Sequence, residues 1–175
     1  YLIQTAVKRI KNIFGECVKG INYILIDETN ITELISDIET PSFGYEKKLI
    51  VVKDSNLFKK DTKRKTSELT KFKEKLCQYI TQNIDIINQS VILIFIEQEA
   101  EKQELLQIID KNGIVAKVDY QKPIALIARI KEICKMYNVT IENSDIQYFI
   151  ECVGTKLQDI INEIKYRNDI ETAVS

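Results

Sequence analysis

The sequence has 175 residues and is 45% apolar, so it is long enough for one domain, or for one domain with a small second one. Its 25 basic and 26 acidic side chains nearly cancel, which argues against a general nucleic-acid or membrane binder driven by net charge. Histidine is absent, which excludes the usual zinc sites, the Ser-His-Asp triad and the Cys-His dyad.

The four cysteines lie far apart in the sequence, and none belongs to a Cys-x-x-Cys pair. This spacing predicts small, buried apolar side chains in a reduced protein rather than disulfides. Neither a signal peptide nor an apolar run of about 18 residues is visible, so we expect a cytoplasmic protein with no membrane partner.

Helical and extended patterns alternate from the start of the chain. Residues 2–14 place their apolar side chains at helical spacing, residues 22–26 form a short apolar run typical of a strand, and residues 31–39 again have helical spacing. We expect a further strand and a loop to precede the first helix, outside the printed sequence. In α/β proteins such a loop is where phosphate binds.

A short joint connects the helix at 31–39 to an apolar run predicted to be a strand, residues 49–53. Pro41 fixes its own φ and disfavours a helical conformation in the residue before it, while Gly44 permits a backbone bend. Phe43 therefore lies at the tip of a predicted turn. The ring either folds back onto the core or projects as an anchor for another protein.

A local excess of positive charge follows this joint. Residues 46–75 contain eleven Lys or Arg and five Asp or Glu. Within them, the lysine-rich stretch 57–65 has neither helical nor strand periodicity, so we expect a loop or a short irregular helix there. Such a patch is more often a solvated surface than a phosphate-contacting face. The candidates for DNA contact are Lys59, Lys60, Lys63, Arg64 and Lys65, to which Lys71 and Lys73 could add.

The middle of the chain continues the alternation of helices and strands. The spacing predicts a helix over 67–82, a central parallel strand covered on both faces over 91–96, a helix over 101–111 and a strand over 114–118. This rhythm predicts right-handed crossovers and a parallel sheet with helices on both faces.

After residue 119 the alternation of strands and helices ends, and only helices are predicted. They are predicted over residues 124–137, 146–153 and 155–168, and residues 169–175 are expected to start a linker or further structure. We therefore expect an α/β domain over 1–120 and a small three-helix domain over 121–175.

Three segments, in this order and at this separation, resemble the delta subunit of bacterial DNA polymerase III, the clamp-loader wrench. They are IETPSF at 38–43 followed by KLIVV at 48–52, VILIFI at 91–96 followed by EKQELL at 101–106, and GTKLQDIINEIK at 154–165. The first is similar to that family's Pro-Phe-Phe segment and the strand after it.

The resemblance implies an AAA+-like fold, with a RecA-like parallel-sheet domain that lacks its first strand here and a three-helix lid. It implies no catalytic residue, cofactor or metal. The clamp-binding tip falls on Pro41, Ser42 and Phe43. The family usually has a second large apolar residue where Ser42 stands, so one of two anchors is reduced to a hydroxymethyl group.

The implied partners are the sliding clamp (the beta subunit), primed DNA in the assembled loader, and the gamma/tau and delta-prime subunits through a collar domain after residue 175. Two alternatives stay open. One is an active P-loop NTPase whose phosphate loop precedes Tyr1, although the strand at 91–96 is followed by Glu97-Gln98-Glu99 and not by an Asp-Glu pair. The other is a nucleic-acid-binding module that uses the basic loop.

Overall fold

The computed structural model describes residues 2–59, 68–118, 123–137 and 139–174. These residues form a three-stranded parallel sheet and seven α-helices, a mixed α/β fold. The elements in chain order are α1 (Leu2–Phe14), β1 (Tyr23–Ile26), a 3-10 turn (Ile31–Glu33), α2 (Leu34–Glu39), β2 (Lys48–Lys53), α3 (Glu68–Ser90), β3 (Val91–Ile96), α4 (Glu104–Asn112), α5 (Pro123–Met136), α6 (Asn143–Val153) and α7 (Leu157–Val174).

The strand order is β1-β2-β3, and both pairs are parallel. Val51 of β2 is in register with Leu25 of β1 and with Ile94 of β3. The prediction that residues 91–96 form the central strand is wrong for the described sheet. That place belongs to β2, whose first five residues are buried, whereas β3 lies at an edge and is mostly half-buried.

The core of the α/β unit lies between the sheet and the helices α2, α3 and α4. Leu34, Ile35 and Ile38 are all buried on one face of α2, and they pack with Ile50 and Val52 of the central strand. Helical spacing brings these apolar side chains to the sheet, and their burial stabilises so short a helix.

Several helices depart from their predicted bounds, and for α3 and α4 side-chain hydrogen bonds accompany the difference. α3 continues past residue 82 to Ser90 through a kink at Asn83, whose side-chain amide donates to the Tyr79 carbonyl at 2.9 Å. α4 begins at Glu104 rather than at 101, because Gln103 is extended and its side-chain amide donates to the Leu57 carbonyl at 2.8 Å.

The predicted strand at 114–118 does not form. A strand requires a neighbour that exchanges backbone hydrogen bonds, and the described strands have no pairing with residues 114–118. Ile114 is 92% exposed, and Val115 and Val118 are exposed as well. The first helix is also less buried than its spacing suggests, since α1 has no buried residue.

The C-terminal helices α5, α6 and α7 pack on one another around a second apolar cluster that includes Leu126, Ile130, Ile133, Ile146 and Ile160. Of the two expectations for residues 169–175, the linker is wrong, because α7 runs on to Val174. Neither glycine nor proline occurs between residues 157 and 174 to end the helix.

The chain divides into two compact units. One is Thr5–Lys117, and the other comprises Val118–Ser175 together with Tyr1–Gln4. The predicted boundary at 120–122 falls outside the described residues. No helix in the described ranges is both long and apolar enough to cross a membrane.

The cysteines only partly match their prediction. Cys77 and Cys134 are buried, and Cys17 is half-buried, but Cys152 is exposed on α6. All four are free thiols.

Candidate functional site

Phe43 projects into solvent at the joint between α2 and β2. The residue is 77% exposed, and Pro41 and Gly44 in the same segment are exposed as well. The interpretation in which the ring folds back onto the core is therefore wrong. The structure brings Pro41, Ser42 and Phe43 together in one segment, which we call the tip (residues 41–44) and in which only Ser42 is half-buried.

The tip begins where α2 ends. Thr40 is extended, with φ −70° and ψ 126°, as expected for the residue before a proline. Its backbone N–H donates to the Ser36 carbonyl at 2.9 Å, and its hydroxyl donates to the same carbonyl at 2.7 Å. The last turn of the helix is thus closed, and the chain leaves it in a defined direction.

A tight turn holds Phe43 at the apex. The Tyr45 N–H donates to the Ser42 carbonyl at 3.0 Å, and the Ser42 hydroxyl donates to the Tyr45 carbonyl at 2.9 Å. Gly44, the third residue of this turn, has φ +83°, a conformation that favours glycine. Two hydrogen bonds across the turn therefore restrict the backbone on both sides of Phe43.

Ser42 thus has a structural role that was not predicted from the sequence. It is half-buried, and its hydroxyl braces the turn instead of adding a second apolar anchor. Tyr45 does not replace that anchor at the surface, since it is half-buried against Glu16. Burial, followed by the charge of Glu16 and a hydrogen bond to it, raises the pKa of Tyr45.

A buried lysine lies at the base of the tip. Lys48, the first residue of β2, is only 3% exposed. Its ammonium group donates to the Asp37 carbonyl at 2.7 Å and to the Thr40 carbonyl. No local pattern predicts this arrangement, because Lys48 follows exposed Lys47 and resembles one more surface charge before a buried strand.

The basic segment is only partly visible. Lys59 and Lys71 are exposed, whereas Lys60, Lys63, Arg64 and Lys65 lie outside the described residues. Lys73 is 8% exposed, and its ammonium group donates to the Lys59 carbonyl at 3.3 Å and to the Gln103 side chain at 3.1 Å. Lys73 is therefore bound within the fold rather than presented to a phosphate.

The carboxyl edge of the sheet is where a related NTPase would hold nucleotide and magnesium. Here Glu97, directly after β3, accepts hydrogen bonds from the Ser55 backbone N–H at 2.9 Å and from the Ser55 hydroxyl. Its carboxylate therefore joins the ends of β2 and β3. Among the described residues, no cluster of acidic or cysteine side chains has the arrangement of a metal site.

The fold matches that of a solved clamp-loader protein. A chain titled "Bacillus subtilis DNA clamp loader delta protein (YqeN)" superposes with a TM-score of 0.60 at 18% sequence identity. The match covers 97% of this chain and 50% of that chain, so our chain spans about half the length of that relative. The architecture is therefore that of a clamp-loader delta protein.

The family follows from the sequence itself. The model of the family "DNA polymerase III, delta subunit" matches residues 1–119, and the chain belongs to this family. The predicted membership of this family is thus confirmed, and two of the three segments that suggested it lie within the matched residues. No curated protein matched the chain.

Proposed function

We propose that this part of the delta subunit binds the sliding clamp through the tip and helps to open it for loading onto primed DNA. The exposure of Phe43 at the apex of a braced turn carries the proposal. A phenyl ring costs free energy in water, and a pocket on a partner removes that cost. Large aromatic anchors of this kind dominate the energy of many interfaces.

The mechanism needs binding energy and no chemical step. A ligand shifts a conformational equilibrium only through its different affinities for the two states. If the delta subunit binds the open clamp interface more tightly than the closed one, the population of the open state rises. The tip lies between α2 and β2, and buried residues hold both elements in the fold. These two elements therefore fix the position of Phe43 relative to the sheet.

The same subunit acts without hydrolysing ATP, as delta subunits of the clamp loader generally do. The hydrogen bonds of Glu97 support this, because they hold one carboxylate oxygen against Ser55 instead of leaving it for a metal ion. The partners are the beta clamp, the gamma/tau and delta-prime subunits through a collar domain, and primed DNA in the assembled loader. These assemblies act in the cytoplasm.

Titration of the full-length protein with its sliding clamp tests the proposal. We expect binding without nucleotide, marked weakening by Phe43→Ala, and no ATP turnover by the isolated subunit. Equal affinity of the variant and the wild-type protein would rule out the tip as the clamp-binding site. Turnover of ATP would instead support an active NTPase.

A further inference from the structure

Lys48 is an unusual residue to find in the core of the α/β unit. Lysine is almost never fully buried unless its charge is compensated, and Lys48 is 3% exposed. Burial lowers the pKa of Lys48, while the charge of Asp37 acts in the opposite direction. The cost of burying this ammonium group is offset by its two hydrogen bonds to backbone carbonyls.

One of those carbonyls belongs to the last turn of α2, and the other belongs to the residue that follows the helix. The last four carbonyls of a helix have no partner within the helix, and the negative end of the helix dipole favours a cation there. Lys48 satisfies the Asp37 carbonyl in this way. Its second acceptor, the Thr40 carbonyl, lies one residue beyond the helix and directly before Pro41.

The two hydrogen bonds also close the base of the tip. Thr40 is where the chain leaves α2, and Lys48 is where it enters β2. The side chain of the second residue therefore holds the backbone of the first, so the segment 40–48 is fixed at both ends. A segment that is already ordered loses less conformational entropy when a partner binds it.

We infer that Lys48 is a positioning residue that fixes the base of the tip and thereby sets the affinity of Phe43 for the clamp. This inference rests on the proposed function. Lys48 itself is buried, so it acts on a partner only through the segment 40–48.

The experiment compares Lys48→Met with two controls in the full-length protein. Lys48→Arg keeps a cationic donor, and Lys47→Met removes the same charge from the exposed neighbouring position. The first readout is clamp affinity. We expect Lys48→Met to weaken it about tenfold, a change typical of lost preorganisation, while both controls stay within about threefold of the wild-type protein.

The second readout is the rate of amide hydrogen exchange in the absence of the clamp. A local effect on the tip accelerates exchange only there, whereas a general loss of stability accelerates exchange throughout the unit. The N–H groups of Thr40 and Tyr45 form the hydrogen bonds at the two ends of the tip. In Lys48→Met they should exchange about tenfold faster, while Val51 in the central strand keeps its rate. Uniformly faster exchange, or behaviour equal to that of Lys47→Met, would overturn the inference.

If Lys48→Met does not fold, Lys48→Gln retains an amide donor on a shorter stem. It should change both readouts in the same direction by a smaller factor, and unchanged readouts in a folded Lys48→Gln would count against the inference. The two proposals also fail separately. If Phe43→Ala binds the clamp as the wild-type protein does, the proposed function is wrong, and so is the inference that Lys48 sets clamp affinity. The exchange rates at Thr40 and Tyr45 then still test whether Lys48 fixes the base of the tip.

Discussion

Replacing Phe43 by alanine should separate clamp affinity from fold stability. A phenylalanine presents roughly 200 Å² of surface. With 77% of the residue exposed, about 150 Å² is free for a partner to cover, of which roughly 100 Å² belongs to the ring that alanine lacks. At about 25 cal/mol per Å², burying that ring contributes ~2.5 kcal/mol to binding.

This free energy corresponds to clamp affinity weakened about 50- to 100-fold in Phe43→Ala. The folded protein itself should change by less than about 0.5 kcal/mol, since so little of the ring is buried in the free subunit. Calorimetric titration with the clamp measures the first quantity, and urea unfolding measures the second.

Ile86→Ala is a matched control for this experiment. Ile86 lies on α3 in the same unit and is 65% exposed, so its replacement also removes exposed apolar surface, but from a different element. It should leave clamp affinity unchanged. A loss of less than about threefold in Phe43→Ala, or an equal loss in both variants, would show that the ring is not a buried anchor.

Three further predictions concern the fold. Leu34→Ala should reduce the free energy of unfolding by about 2–5 kcal/mol in urea, since Leu34 is 0% exposed in the core, and a loss below about 1 kcal/mol would contradict that packing. Cys152 should be alkylated at least about 100-fold faster than Cys77 and Cys134, because burial shields these two thiols and raises the pKa of each. Mass spectrometry after timed labelling measures the three rates, and equal rates would contradict the prediction. Burial also raises the pKa of Asp37, so the folded protein keeps this proton to a higher pH than the unfolded chain does and loses stability as pH rises through that window. Asp37→Asn should therefore become more stable relative to the wild-type protein as pH rises from the range where Asp37 is protonated in both states to the range where it is ionised in both, and a constant difference in urea unfolding would refute this.

Much of the architecture was predictable from local pattern. The β-branched run of β2 predicted this strand within one residue of its observed bounds, and the apolar spacing at 31–39 predicted a helix where the chain forms the 3-10 turn Ile31–Glu33 followed by α2. Pro41 and Gly44 located the turn between them, because each restricts or permits backbone conformations independently of the rest of the chain. The family was also identifiable from the order of three segments.

Other features depend on neighbours that a local pattern does not contain. Residues 114–118 have the composition of a strand, yet they remain exposed and unpaired with the described sheet. The apolar run 91–96 was expected at the sheet centre, but strand order is a property of pairing, and pairing placed β2 there. Likewise the end of α3 was misplaced, since burial of Ile87 carries the helix beyond its kink.

For the candidate site, the sequence by itself determined that an aromatic side chain stands in a Pro-Gly turn between a helix and a strand. Local backbone chemistry suffices for that. Only the tertiary structure decided that Phe43 points into solvent and that Lys48 is buried against the carbonyls of Asp37 and Thr40. Both depend on which surfaces meet when α2 packs on the sheet, because a ring or an ammonium group is exposed or buried only relative to its neighbours in space.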